Sequence, residues 1–265
     1  MTSMETKQEL IEEFSGIKYI LTSGMRSRLL LCIYQNPKNL DDLRNELRKP
    51  SATILHGLKE LETINLVKKV RKTYELTSNG FLLTTNMVKL IENWYSVNRS
   101  KNFWNSHDLS QIPEDMLKNI YLLKEATYIS STTSDLSNAF NAYIDLISKS
   151  KKLKIILPIY SENHLKYLIE LLDKNKLESL ELVINEKVLN SLKRNEILEK
   201  ILFHDDKVNI KCLNQELKLF LTYSDDFMSL TLFFNDGHYD DTQILIGQDK
   251  NAIKWAKSLS KYYRR

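Results

Sequence analysis

Residues 51–77 read SATILHGLKELETINLVKKVRKTYELT. Ile54, Leu55, Leu58 and Leu61 follow the i, i+1, i+4, i+7 spacing of a helix buried along one stripe, so a helix is expected over 51–63. Ser51, just after Pro50, is expected to cap its start, and Asn65 tolerates the left-handed conformation that ends such a helix. LVKKV and TYELT then read as two short strands joined by a turn at Arg71-Lys72. Upstream, helices are expected over 7–21, over 23–35 with Ser23 as cap, and over 39–49 with Asn39 as cap. Asp41 and Asp42 suit the positive start of the third, and Leu40, Leu43 and Leu47 should face inward. A long helix over 78–99 follows the strands. Helices followed by a hairpin is the order of a winged helix-turn-helix, an α+β unit.

The inward stripe fixes what the helix shows outside: Ser51, Ala52, Thr53, His56, Lys59 and Glu60. In a helix-turn-helix these side chains meet double-stranded DNA: Ser51 and Thr53 at phosphate or base edges, His56 at a guanine acceptor. Gly57 costs about 1 kcal/mol relative to Ala inside a helix, so close packing or close DNA approach is its expected motive. Arg71 and Lys72 at the turn, Lys68 and Lys69 on the leading strand, and Arg48 and Lys49 before the helix would grip the phosphate backbone. The charge balance agrees in sign. Residues 1–100 hold 15 Lys+Arg against 11 Asp+Glu, whereas residues 101–265 hold 23 of each. A basic patch is often only a solvated face, and a protein-interaction scaffold using the same helix is the alternative reading.

The run PSATILHGLKELETINLVKKVRKTYELTSNG resembles the core of ArsR-type and related archaeal winged-helix regulators, through its small polar helix start, LKELE, NLV, a short basic wing and YELTSNG. Those families more often carry Gly where this chain has Asn65. FWNSHDLSQIPEDMLKNIYLL (103–123) resembles the connector of two-domain regulators in the filamentation/methanogenesis regulator family of methanogenic archaea. The resemblance implies a homodimeric transcription regulator.

Three parts are expected: a winged-helix domain over 1–99, a connector over 100–123, and an α/β sensor or dimerisation domain over 124–265. In the last, strands are expected at 127–131, 153–159, 179–184, 207–213, 217–223, 227–234 and 242–247, with helices at 135–149, 161–175, 186–202 and 250–264. The early alternation argues for a largely parallel sheet, and the consecutive late strands for an antiparallel edge of a mixed sheet. Ligands of such sheets collect beyond the strand carboxyl ends. Ser131, Thr132 and Thr133 before a helix start, and Tyr160, are therefore the candidates for a small-molecule effector, with an anion favoured at the helix start. The alternative is that these strand ends only start helices, with Asp135 or Ser134 capping 135–149 and Ser161 capping 161–175.

No catalytic residues, cofactor or metal are expected. His164-Leu165-Lys166 invites comparison with the H-x-K-x4-D motif of phospholipase D, but Leu171 stands where the acid belongs. The expectation is a phospholipase D-like sheet without its catalytic motif. Asp236, His238, Asp240 and Asp241 are acid-rich, yet turns favour Asp for backbone reasons alone. Cys32 and Cys212 sit in apolar runs and read as core thiols. With no apolar leader or membrane span visible in the sequence, a cytoplasmic protein is expected.

Overall fold

Ser23, Asn39 and Thr77 each place a side-chain oxygen where a helix begins. Ser23 Oγ accepts from Arg26 N at 3.3 Å, Asn39 Oδ1 from Asp42 N at 2.9 Å, and Thr77 Oγ1 from Gly80 N at 3.0 Å. Asp42 returns the bond to Asn39 N, closing a capping box. The structure, a computed structural model, describes residues 3–264; its chain divides between Ile91 and Glu92 into two units.

The first unit holds α1 (Ser3–Leu21), α2 (Gly24–Tyr34), β1 (Lys38–Asn39), α3 (Leu40–Leu47), α4 (Ser51–Thr63), β2 (Val67–Val70), β3 (Thr73–Leu76) and the start of α5 (Ser78–Arg99). The strands form an antiparallel sheet in the order β1-β3-β2. Two-residue β1 escaped the sequence reading, because nothing in its length carries a period. Leu29, Leu30, Leu43, Ile54, Leu58 and Leu61 form the sealed centre. Each contributes about 1.5–3 kcal/mol by leaving water.

Local details depart from expectation. Pro50, not Ser51, occupies the cap position of α4, with no side-chain cap bond; its carbonyl accepts from Thr53 N and Ile54 N. Leu55 is 42% exposed, because the buried stripe runs through Ile54, Gly57, Leu58 and Leu61 and Leu55 lies to its side. Gly57 is explained by packing: a Cβ there would stand 2.8 Å from Leu29 Cδ1. At Gly80 a Cβ would stand 1.9 Å from the Leu66 carbonyl oxygen, so the first turn of α5 lies directly on the backbone leaving α4. Thr77 Oγ1 ties the same junction by donating to Asn65 O at 2.6 Å.

The second unit begins with the last residues of α5, then α6 (Lys101–Ser106), α7 (Glu114–Leu117), a 3-10 turn (Ile120–Leu123), β4 (Thr127–Ser130), α8 (Asn138–Ser148), β5 (Lys152–Leu157), α9 (Glu162–Asp173), β6 (Ser179–Asn185), α10 (Glu186–Lys193), α11 (Glu196–His204), β7 (Val208–Leu213), β8 (Leu219–Tyr223), β9 (Met228–Leu232), β10 (Gln243–Gly247) and α12 (Lys250–Arg264). The seven strands run β4-β10-β9-β8-β5-β6-β7. Only β5–β6 and β6–β7 pair in parallel; the other neighbours are antiparallel. The sheet is mixed as expected, but not largely parallel, because β4 pairs with β10 at an edge.

Alternating residues put a core on each face of the sheet. Helices α8–α11 cover one face, over Ile155, Leu157, Leu182, Ile184 and Phe220. The other face carries Ile156, Val183, Leu221, Leu230 and Trp255 of α12. Residues 100–123, expected as a connector, belong to this second core: Phe103, Ile112, Ile120 and Leu123 are buried in it. The helix expected over 186–202 is two helices, since Asn195 Oδ1 accepts from Leu198 N and starts α11 afresh. Cys32 is half-buried, with its thiol pushed up to about 11 by burial and by Glu46. Cys212, expected inside, is exposed on the edge strand β7. Among the described residues no helix is long and apolar enough to cross a membrane.

Candidate nucleic-acid interface

Helix α4 follows α3 after a short turn at Arg48–Pro50. Arg48 takes a left-handed conformation, φ 52°, and its N–H donates to Arg44 O, which stops α3 and turns the chain. With Ile54, Leu58 and Leu61 held in the core, α4 presents Thr53, His56 and Lys59 to solvent, the face expected from the sequence. His56 is 76% exposed; its Nδ1 lies 3.6 Å from Glu60 Oε2. Ser51, in the first turn, is half-buried.

Glu60 is less free than its place on that face implied. Its Oε1 accepts from Arg26 Nη1 at 2.8 Å and from the Tyr19 hydroxyl at 3.2 Å, while the Arg26 guanidinium lies 3.7 Å from the Tyr19 ring centre. Partial burial works against its charge, but these partners hold its carboxyl below the ordinary glutamate value. Arg26 thus braces the outer face of α4. The sequence reading missed it, because 34 residues separate the pair.

In the hairpin, Arg71 takes the left-handed conformation, φ 56°, at the tip, and Thr73 Oγ1 donates to Val70 O at 3.0 Å. Arg71 and Lys72 are exposed, as are Arg48 and Lys49, and none of these four forms an ion pair among the described residues. Lys68 and Lys69 differ. Adjacent strand residues point to opposite faces. Lys68 sits across from Glu75, with Nζ 3.8 Å from its carboxylate, whereas Lys69 sits across from Tyr74, with Nζ 5.6 Å from the ring centre. One flat surface cannot take both lysines.

Two of the four candidates in the second unit, Ser131 and Thr132, hold backbone N–H groups. Ser131 Oγ accepts from Ala139 N at 3.1 Å, in the first turn of α8, and Thr132 Oγ1 accepts from Asp135 N at 3.2 Å. Thr133 is exposed, and Tyr160 is half-buried against the core. The loop after β4 therefore folds onto itself and onto the start of α8. Likewise Lys166 pairs with Glu162 at 2.8 Å on the surface, and Leu171 is buried. In the acid-rich loop Asp240 turns inward, away from Asp236 and His238, which pair with each other at 3.0 Å.

Comparison with known proteins matches residues 14–94 to the family model "Methanogenesis regulatory protein FilR1, N-terminal domain" and residues 136–265 to the corresponding middle domain. A curated relative, "Methanogenesis regulatory protein FilR1" of Methanothrix harundinacea (strain 6Ac), is 25% identical over 253 residues. The match covers 93% of this chain and 56% of the relative, so the chain spans little more than half of that protein's length. Among solved structures, the archaeal chromatin protein TrmBL2, described as showing a novel mode of DNA binding, matches at 12% identity over 89% of each chain with a TM-score of 0.40. The IdeR protein of T. acidophilum matches at 16% identity, covering 35% of this chain and 40% of that one, with a TM-score of 0.23. Scores that low carry no argument about the fold.

Proposed function

The chain belongs to the FilR1 family of methanogenesis regulatory proteins, and from that premise we propose that it is a DNA-binding transcription regulator whose first unit acts as a winged helix-turn-helix. The family is one of regulators, not of enzymes. The observation that carries the reading is the division of labour on α4. Ile54, Leu58 and Leu61 fix the helix, and Thr53, His56 and Lys59 are left outward. Exposed cations without partners among the described residues flank it at Arg48, Lys49, Arg71 and Lys72.

In this reading α4 lies in the major groove, Ser51, Thr53 and His56 meet bases or phosphates, and the hairpin follows the backbone. Lys68 or Lys69, but not both, contributes. The working form is a homodimer, with recognition helices roughly one helical turn of DNA apart. Its support is apolar surface left open on two helices, Leu10, Ile11 and Phe14 on α1 and Phe81, Leu82 and Leu90 on α5. The second unit, read as a phospholipase D-like domain without catalysis, would bias DNA affinity when it binds an effector.

Duplex binding measured at about 50 and about 200 mM salt tests the reading, because each phosphate contact adds about 0.9 to the logarithmic salt slope. A steep loss of affinity is expected, and Arg71→Ala with Lys72→Ala should lower the slope by about 2. Equal affinity at both salt concentrations overturns DNA binding and favours a protein-interaction scaffold.

A further inference from the structure

On β8 and β9, alternate side chains face opposite sides of the sheet. Leu219, Leu221, Met228, Leu230 and Leu232 fill the side covered by α12. The other side of the same strands carries Phe220, Thr222, Ser229 and Thr231 instead of a row of aliphatic groups. Ser229 and Thr231 are 3% and 6% exposed, at positions where a central strand under helices would ordinarily carry Val, Ile or Leu. Small hydroxyl side chains leave space, and a cavity of about 350 Å³ lies there between α8, α9 and the sheet. That is within the range of small-molecule sites.

The cavity's other walls are aromatic. His164 lies 4.9 Å from Phe140, 5.2 Å from Tyr143 and 5.3 Å from Phe220, ring centre to ring centre, in tilted or edge-on arrangements. Burial among these rings lowers the His164 imidazole to about 4, so it is neutral near pH 7. Its Nδ1 is 2.8 Å from Ser161 Oγ. Asp241 is the one carboxylate on the lining, and no Lys or Arg joins it among the described residues. Among the described residues no cationic side chain in the cavity would compensate a desolvated anion, while a donor or a positive nitrogen finds ring faces, hydroxyls and a carboxylate.

We propose that this cavity binds a small planar aromatic compound, neutral or singly cationic, with its ring among Phe140, His164 and Phe220 and its polar group at Thr231 or Asp241. The bound compound as effector rests on the regulator reading above; the binding itself does not. The site differs from the strand-end hydroxyls at Ser131–Thr133 in place and in preferred charge.

Calorimetric titration of the full chain, without DNA, tests the assignment with three probes of one shape: indole (neutral), tryptamine (cationic) and indole-3-acetate (anionic). Indole and tryptamine should each saturate one site, and indole-3-acetate should bind at least about tenfold more weakly. Asp241→Asn should bring tryptamine down to the affinity of indole. Thr231→Leu should fill the space and remove both; Ser229→Val does the same by a smaller change, and circular dichroism confirms that each variant is folded. The assignment is overturned by equal or tighter binding of indole-3-acetate, by no saturable binding of indole or tryptamine, or by full affinity in a folded, filled variant. None of these results bears on the salt-dependent duplex measurement, so the two readings fail separately.

Discussion

His107 Nε2 lies 3.0 Å from Asp240 Oδ2, and neither side chain reaches solvent. The second ring nitrogen, Nδ1, lies 2.7 Å from Phe103 O, so each ring nitrogen faces an oxygen. Asp240 also accepts from Thr242 N, Thr242 Oγ1 and Gln243 Nε2. The network pins the 235–241 loop to α6. Removing one partner of a buried pair leaves the other uncompensated, so Asp240→Ala should cost about 3–5 kcal/mol in urea denaturation. Burial raises the Asp240 carboxyl, but His107 and Thr242 outweigh it and hold it below the ordinary aspartate value. Its stabilisation is therefore complete above the unfolded carboxyl's titration and is lost as pH falls through the folded one. Asp240→Asn should remove that acid-dependent part.

His164 gives a second, higher pH window. Burial depresses the folded imidazole to about 4, so between that value and its unfolded titration the unfolded state binds more protons. Stability is complete above the unfolded value and falls as pH drops toward the folded one. Between pH 7 and pH 5 the loss should be about 2 kcal/mol. Denaturation of wild type and His164→Phe at both pH values measures it; an equal loss in the two proteins would refute the assignment.

Arg71 separates folding from binding. It holds φ 56°, a conformation in which glycine carries no Cβ penalty of about 1–2 kcal/mol. Arg71→Gly should leave the thermal midpoint unchanged or higher, while duplex affinity falls and the salt slope shrinks by about 1. Loss of affinity together with unfolding would count against a direct contact.

Ser131 holds the start of α8. Its hydroxyl oxygen takes the Ala139 N–H, so Ser131→Ala should cost about 1 kcal/mol of stability. The same change should leave indole affinity as in wild type. A fall in affinity without a stability change would return Ser131 to the binding site.

The legible parts were those with a short-range signature. Asn39 with Asp42, the leucine stripe of α4, Asn65 at φ 56° and the Arg71-Lys72 turn each rest on residues within one or two turns of chain. What escaped depends on partners far apart. Nothing near Arg26 announces Glu60, and nothing near His107 announces Asp240, 133 residues on. Residues 100–123 read as a linker because they are polar on average, although Phe103, Ile112 and Leu123 are spaced to reach one core. The aromatic cavity was missed for a related reason. Ser229 and Thr231 look like the solvent side of an alternating strand, and only the sheet order reveals helices on both sides.

Gly80 touches the Leu66 carbonyl so closely that only a hydrogen atom fits between them. Any missense change at its codon adds at least a carbon at that contact. A random screen for loss of regulation should therefore recover alleles at this position as well as at the outward side chains of α4, and those alleles should fail through misassembly. Counting alleles alone would mark it as a contact residue; soluble yield at permissive temperature would tell the two kinds apart.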